Sequence, residues 1–154
     1  MPKSKSNNPD AIELLKQDHA SVKKSFKEFE KMDHEDTATL QELVTMVCNE
    51  LKVHTAIEEE IFYPAARKAI EDEDIMNEAK VEHQSAKDLI TQLEAMKADD
   101  PLYPATFTVL CEYVLHHVKE EESEMFPQVK KTELDLDALG RQMLARKEEL
   151  MASA

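Results

Sequence analysis

Two stretches of this chain pair a histidine with a glutamate four residues later, His54 with Glu58 and His117 with Glu121, and in each a proline, Pro64 or Pro127, stands ten residues after the histidine. On a helix, residues four apart stand one turn apart on the same face, so each pair aims an imidazole and a carboxylate at one point. Those two donor types together suit a metal ion. The proline, which has no N–H and whose ring clashes with the preceding turn, is expected to end the helix.

The two stretches belong to a longer internal repeat. Cys48 and Cys111 each precede the paired histidine by six residues, and Asp18-His19-Ala20-Ser21-Val22-Lys23 is echoed by Glu82-His83-Gln84-Ser85-Ala86-Lys87. His19 and His54 are 35 residues apart, and His83 and His117 are 34. The chain therefore reads as two related helical hairpins, each with a lone histidine on its first helix and a His-xxx-Glu pair on its second.

Apolar periodicity locates the helices that must position these groups. Asn8 and Pro9 are expected to cap and open a first helix, in which Ile12, Leu15, His19, Val22, Phe26 and Phe29 recur three and four apart as far as Met32. The second helix is expected to open between Asp36 and Thr39, with Thr39 and Glu42 as a capping box. Its inner seam runs Leu40, Val44, Val47, Leu51, His54, Glu58, Ile61, and beyond Pro64 a bend or a further turn is expected. The acidic run from Glu71 to Asp74 suits the start of a third helix, whose seam is Met76, Ala79, His83, Ala86, Ile90 and Leu93. Asp99, Asp100 and Pro101 break the chain before a fourth, with seam Phe107, Leu110, Val114, His117, Glu121 and Met125. A last helix from Asp135 to Leu150, carrying Leu136, Leu139 and Met143, is expected to pack across the others. The expected fold is all-α, an antiparallel up-down four-helix bundle with an additional short C-terminal helix. Its organisation is a disordered N-terminus at 1–8, the bundle at 9–130, and a C-terminal helix and tail at 131–154.

Composition agrees with that class. A chain of 154 residues suits one domain with a real core, and one glycine, no tryptophan and 34% charged residues favour helices over sheet. Nineteen basic against 33 acidic residues give a net charge of −14, which argues against nucleic acid and anionic membranes as partners. The N-terminus lacks the apolar run of a signal peptide, and no stretch approaches the ~20 apolar residues of a membrane span, so a cytoplasmic protein is expected. Cys48 and Cys111 form no CxxC pair and read as buried thiols.

Four histidines and two glutamates thus occupy seam positions near mid-helix. Buried imidazoles and carboxylates are costly unless paired. A metal-free polar core is one solution, but a shared metal is the simpler partner for six such residues repeated between halves. Six ligands exceed the needs of one tetrahedral zinc and suit two metals with two imidazoles each and bridging carboxylates. The Glu-xx-His pairs of ferritin-like di-iron proteins and the HExxH of zinc proteases are both absent.

The order of lone histidine, His-xxx-Glu, lone histidine and a second His-xxx-Glu closing on Phe126-Pro127 resembles the hemerythrin family, in particular the bacterial HHE cation-binding domains, over roughly residues 10 to 130. The resemblance implies a four-helix bundle holding an oxo- or hydroxo-bridged non-haem di-iron centre. His19 and His54 would hold one iron, His83 and His117 the other, and Glu58 and Glu121 would bridge them. It also implies small ligands, O2, peroxide or nitric oxide, which the protein would bind or sense; the alternative is a di-iron peroxidase-like or iron- and nitrosative-stress-handling enzyme. Oxygen carriers of the family have a further histidine four residues after the one on the third helix and an aspartate as the second bridge; here these positions hold Lys87 and Glu121. The two irons would then be alike, with a free position on each, which points away from reversible oxygen carriage.

Among neighbouring residues, Tyr113 is one turn before His117 and within reach of the centre, although a bundle tyrosine with its hydroxyl outside the core is the simpler reading. Lys23 and Lys87 are expected to extend outward, and His116 to lie outside the centre. Glu59, Glu60, Glu120 and Glu122 read as a solvated face.

Overall fold

The computed structural model describes residues 8–153, so the expected disordered N-terminus lies outside the described residues except for Asn8. Four long helices are present: α1 (Ala11–Lys31), α2 (Thr37–Ile57), α4 (Glu73–Ala95) and α5 (Leu102–Glu120). α2 runs through a π-helical turn, Glu58–Phe62, into the short α3 (Tyr63–Ala69), and α5 runs through a second, Glu121–Met125, into α6 (Phe126–Lys130). α7 (Leu136–Ser153) closes the chain. Among the described residues there is no strand, and no helix is long and apolar enough to cross a membrane.

The helix starts are set by aspartates. Asp10, not Asn8, caps α1: its carboxylate accepts from Glu13 N at 2.9 Å while Glu13 accepts from Asp10 N at 3.2 Å. This reciprocal box satisfies two otherwise orphaned donors, where a single cap is worth about 1 kcal/mol. α2 is capped by Asp36, which accepts from Thr39 N at 3.3 Å and from Thr39 Oγ1 at 2.8 Å. Thr39 is therefore a first-turn partner, and the expected Thr39–Glu42 box does not form. Asp72 caps α4 through Ile75 N at 3.2 Å.

The prolines do not end their helices. Pro64 and Pro127 sit in the first turn of α3 and α6, after a turn whose backbone hydrogen bonds run from Tyr63 N to Glu58 O and from Phe126 N to Glu121 O. The wider i→i−5 turn gives the ring room beside the preceding carbonyls, so the chain stays helical although proline offers no N–H. It also changes the inward register. Ile61, expected in the seam, is partly exposed, and Phe62 and Tyr63 are buried instead.

Two apolar clusters flank the polar seam residues. One takes the start of α1 (Ile12, Leu15), the end of α2 (Ile57), Phe62, the start of α4 (Met76) and Phe126. The other takes the end of α1 (Phe26, Phe29), the start of α2 (Leu40, Val44), the end of α4 (Ile90) and the start of α5 (Phe107). In each cluster the starts of some long helices thus meet the ends of others. Phe62, Phe107 and Phe126 are fully buried, each worth about 1.5–3 kcal/mol.

α7 packs on α1 and α2, where Met143 enters the first cluster. The approach is close at Gly140, the only glycine in the sequence: a Cβ there would stand 2.6 Å from Pro9 O. Cys48 and Cys111 are buried free thiols, as expected, and burial pushes Cys48 up to about 12.

Candidate metal centre

Each helix contributes at the level between the two clusters: His19 from α1, His54 from α2, His83 from α4 and His117 from α5, with Glu58 and Glu121 opening the two π-turns. All six are brought together. His19, His54, His83, Glu58 and Glu121 are buried, and His117 is nearly so. Glu58 Oε1 lies 3.1 Å from His54 Nε2 and 3.2 Å from His83 Nε2; Glu121 lies 3.2 Å from His19 Nε2 and 3.1 Å from His117 Nε2. Each glutamate therefore faces one histidine from each half of the chain. The rings of His19 and His54 are 5.0 Å apart, as are those of His83 and His117. Two groups, His19–His54–Glu121 and Glu58–His83–His117, each hold their donor atoms within 4.8 Å of one another.

A ring of carboxylates orients the imidazoles. Nδ1 of His54 donates to Asp18 at 2.8 Å and Nδ1 of His117 to Glu82 at 3.0 Å; Nδ1 of His19 donates to Glu122 at 2.7 Å and Nδ1 of His83 to Glu59 at 3.1 Å. A carboxylate accepts only, so a proton sits on Nδ1 and Nε2 is left to face inward, the arrangement found behind metal-bound histidines. Glu59 and Glu122 are thus not merely a solvated face: each reaches the lone histidine of the other half. The repeat holds a signal for this, because an acid precedes each lone histidine (Asp18, Glu82) and follows each paired glutamate (Glu59, Glu122).

Four of the inward atoms lack partners of their own. His19 Nε2, both oxygens of Glu58 and Glu121 Oε1 are buried without a hydrogen bond. Four such atoms at one point are costly in a folded protein, and imidazole nitrogen with carboxylate oxygen is the donor set of a transition-metal site, so these residues fit a metal. The charges respond to the crowding. Burial opposes the charged form of His54, but Glu58 and Asp18 outweigh it and hold the ring up at about 10; His117 is likewise raised to about 11 by Glu121 and Glu82. Glu58 is held well below the usual carboxylate range, because His54 and His83 overcome its burial.

Tyr63 enters the centre. Its hydroxyl donates to Glu121 Oε2 at 2.5 Å and stands 3.2 Å from His83 Nε2 and 3.1 Å from His117 Nε2. Burial and the charges of Glu121 and Glu58 raise its pKa well above that of a free phenol. At 3.6 residues per turn, a residue five beyond Glu58 stands roughly 140° away from it; the i→i−5 bond of the π-turn brings it back over Glu58. Helical spacing therefore hides Tyr63, although the repeat marks it, since its counterpart nine residues after His117 is Phe126. The two halves of the centre therefore differ by one hydroxyl.

Tyr113 is 48% exposed and lines the outer wall of a cavity of about 40 Å³ beside the histidines, whose apolar wall is Val22, Leu51, Ala86, Val114 and Val118. Lys87 points outward to Glu59 at 2.7 Å. His116 is exposed and pairs with Glu120 at 3.0 Å, and Glu60 with Arg146 of α7 at 3.2 Å. Lys147, also from α7, reaches Asp18 at 2.5 Å.

The chain is similar to known proteins in fold and in sequence. The crystal structure of a Hemerythrin HHE cation binding domain-containing protein from Mycobacterium kansasii superposes with a TM-score of 0.75 at 28% identity, covering 94% of this chain and 89% of that one. A curated relative, a DNA nickase of Nostoc sp., is 27% identical over 118 residues, which are 77% of this chain and 33% of the relative, so this chain spans about a third of its length. The family model of the Hemerythrin HHE cation binding domain matches residues 10–129, the span that carries all six histidine and glutamate residues of the centre, and the chain belongs to that family.

Proposed function

We propose that α1, α2, α4 and α5 form an antiparallel up-down four-helix bundle around two iron ions, and that the protein binds or senses O2 or a related small oxidant, peroxide or nitric oxide, at that centre. His19 and His54 would hold one ion, His83 and His117 the other, and Glu58 and Glu121 would bridge them. The reading is carried by the inward donor set, in which four imidazoles fixed through Nδ1 face Glu58, both of whose buried oxygens lack hydrogen bonds, and Glu121, whose Oε1 lacks one. When bound, an iron pair supplies redox chemistry toward such ligands.

The chain's own residues limit what can approach. The cavity beside the histidines, about 40 Å³, has room for a few water-sized molecules and none for an organic substrate, and its apolar wall favours uncharged diatomics. The net charge of −14 supports small ligands rather than nucleic acid as partners.

Metal analysis of protein expressed with ample iron should give close to two irons per chain, and one metal per chain or zinc alone would refute the reading. Optical spectra before and after O2 and peroxide then divide binding from catalysis: a stable adduct supports a binder or sensor, and sustained peroxide turnover makes the protein an enzyme.

A further inference from the structure

We propose that Glu82, His116 and Glu120 form a further metal site, on the outer face of α4 and α5, which takes an exchangeable divalent first-row ion such as Zn2+ or Fe2+. The site lies outside the centre described above and stands whatever number of metals that centre holds.

The chain repeats its own ligand spacing here. His116 and Glu120 are four residues apart, one position before His117 and Glu121, and one position on a helix is a rotation of about 100°. α5 therefore carries two His-xxx-Glu pairs, one aimed inward and one outward. His116 Nε2 stands 3.0 Å from Glu120 Oε1 and, across the groove to α4, 3.8 Å from Glu82 Oε2. Donors about 2.1 Å from one ion stand roughly 3.0–4.2 Å apart, depending on whether they are at right angles or on opposite sides. Each of the three residues has a donor atom within 4.8 Å of the other two. An imidazole with two carboxylates suits zinc or ferrous iron.

The first half of the chain shows that a cation belongs at this place. Asp18 and Glu82 are equivalent in the repeat, and each accepts from Nδ1 of a paired histidine through one oxygen. The second oxygen of Asp18 holds the ammonium group of Lys147, which α7 brings as it packs on α1 and α2. The second oxygen of Glu82 faces His116 instead, in an open cavity of about 540 Å³ that Asp74, Glu78 and Glu120 also line and to which no lysine or arginine contributes. Four carboxylates thus surround one imidazole. The first-half positions that correspond to His116 and Glu120 hold Val53 and Ile57, both buried, so the outward ligand pair occurs only on the half whose carboxylate lacks a lysine. A divalent ion at Glu82 Oε2 takes the place that Lys147 has at Asp18, one carboxylate away from His117. Because the His116 side chain is 63% exposed, water completes the coordination and the ion exchanges, so desalted protein keeps only its interior metal.

Protein whose interior is first saturated with metal and then desalted should take up one further Zn2+ per chain in calorimetry, with the interior metal content unchanged afterwards. Loss of a residue that only supports a ligand lowers metal affinity about 10–100-fold, so His116→Ala and Glu120→Gln, which remove ligands, should each weaken this step by about 10-fold or more. Both variants should hold interior metal as the parent does, and His34→Ala, which removes the other histidine outside the centre, should leave the step unchanged. Co2+ in place of Zn2+ should shift an imidazole N–H proton far outside the ordinary range in the parent and not in His116→Ala. No further Zn2+, Zn2+ that enters only by displacing interior metal, uptake that persists in His116→Ala, or an equal loss in His34→Ala would each overturn the site.

Discussion

Asp18 accepts a hydrogen bond from Nδ1 of His54 at 2.8 Å. Through its other oxygen it holds Lys147 of α7, so one carboxylate ties the last helix to the orientation of a candidate metal ligand. Burial alone would raise the Asp18 pKa, but His54 and Lys147 together hold it below the usual range. Asp18→Asn keeps the shape but loses the obligate acceptor, which frees the wrong ring tautomer. Metal affinity is expected to fall about 10–100-fold, the usual cost of such a loss, in a chelator-competition titration. Unchanged affinity would show that His54 needs no orienting partner.

Glu122 and Glu120 stand two residues apart and face different histidines, His19 at 2.7 Å and His116 at 3.0 Å. Glu122→Gln is expected to weaken metal binding in the range given for Asp18→Asn, and Glu120→Gln to leave it unchanged. Equal effects in the same titration would mean that local charge, not ring orientation, is what matters.

Removing metal should lower the melting temperature, because the inward carboxylates and imidazoles are then left to repel or to go unsatisfied. A ligand at a thousand times its dissociation constant stabilises by about 4 kcal/mol. Calorimetry of chelated and reloaded protein checks this, and coincident transitions would contradict it.

The metal-free chain should also respond to pH with a definite sign. His54 and His117 are raised to about 10 and about 11, so their stabilisation is complete below the unfolded value of roughly 6.5 and is lost as pH rises through 10 to 11. Glu58 is depressed, so its contribution is present above roughly pH 4.3 and is lost as pH falls through its folded value. Greatest stability is expected at roughly pH 5–6.5, with a steady decline in melting temperature toward pH 10. A flat profile across that alkaline range would refute the assignment. Loading at neutral pH should also release the protons held by His54 and His117, measurable in weakly buffered solution.

Gly140 lets α7 seat against the backbone before α1. Because the 2.6 Å clash in Gly140→Ala is with the Pro9 carbonyl oxygen, α7 must shift as a body. A loss of about 1–3 kcal/mol in denaturant unfolding is expected, typical of overpacking. A neutral result would place α7 farther from α1 in solution.

Much of the centre was legible because its rule is local. Residues four apart on a helix share a face whatever the rest of the chain does, so His54 with Glu58, His117 with Glu121, and the polar breaks in the apolar seams could be read in one dimension. The internal repeat then tied His19 to His83. Helix number and approximate limits followed from the same periodicity, while the caps at Asp10 and Asp36 were misassigned because several neighbouring residues can accept the same N–H.

What tertiary structure decided depends on contacts between distant segments or on a change of helical period. Glu59 reaches His83 and Glu122 reaches His19 only when the two halves are packed together, and no spacing along the chain encodes that crossing. Lys147 finds Asp18 only because α7 folds back over α1. Tyr63 faces the centre only because the π-turn inserts one residue into the register after Glu58. A 3.6-residue period fixes direction along a straight helix; where the hydrogen bonding shifts to i→i−5, the direction of every later side chain is set by the local backbone and by what it packs against.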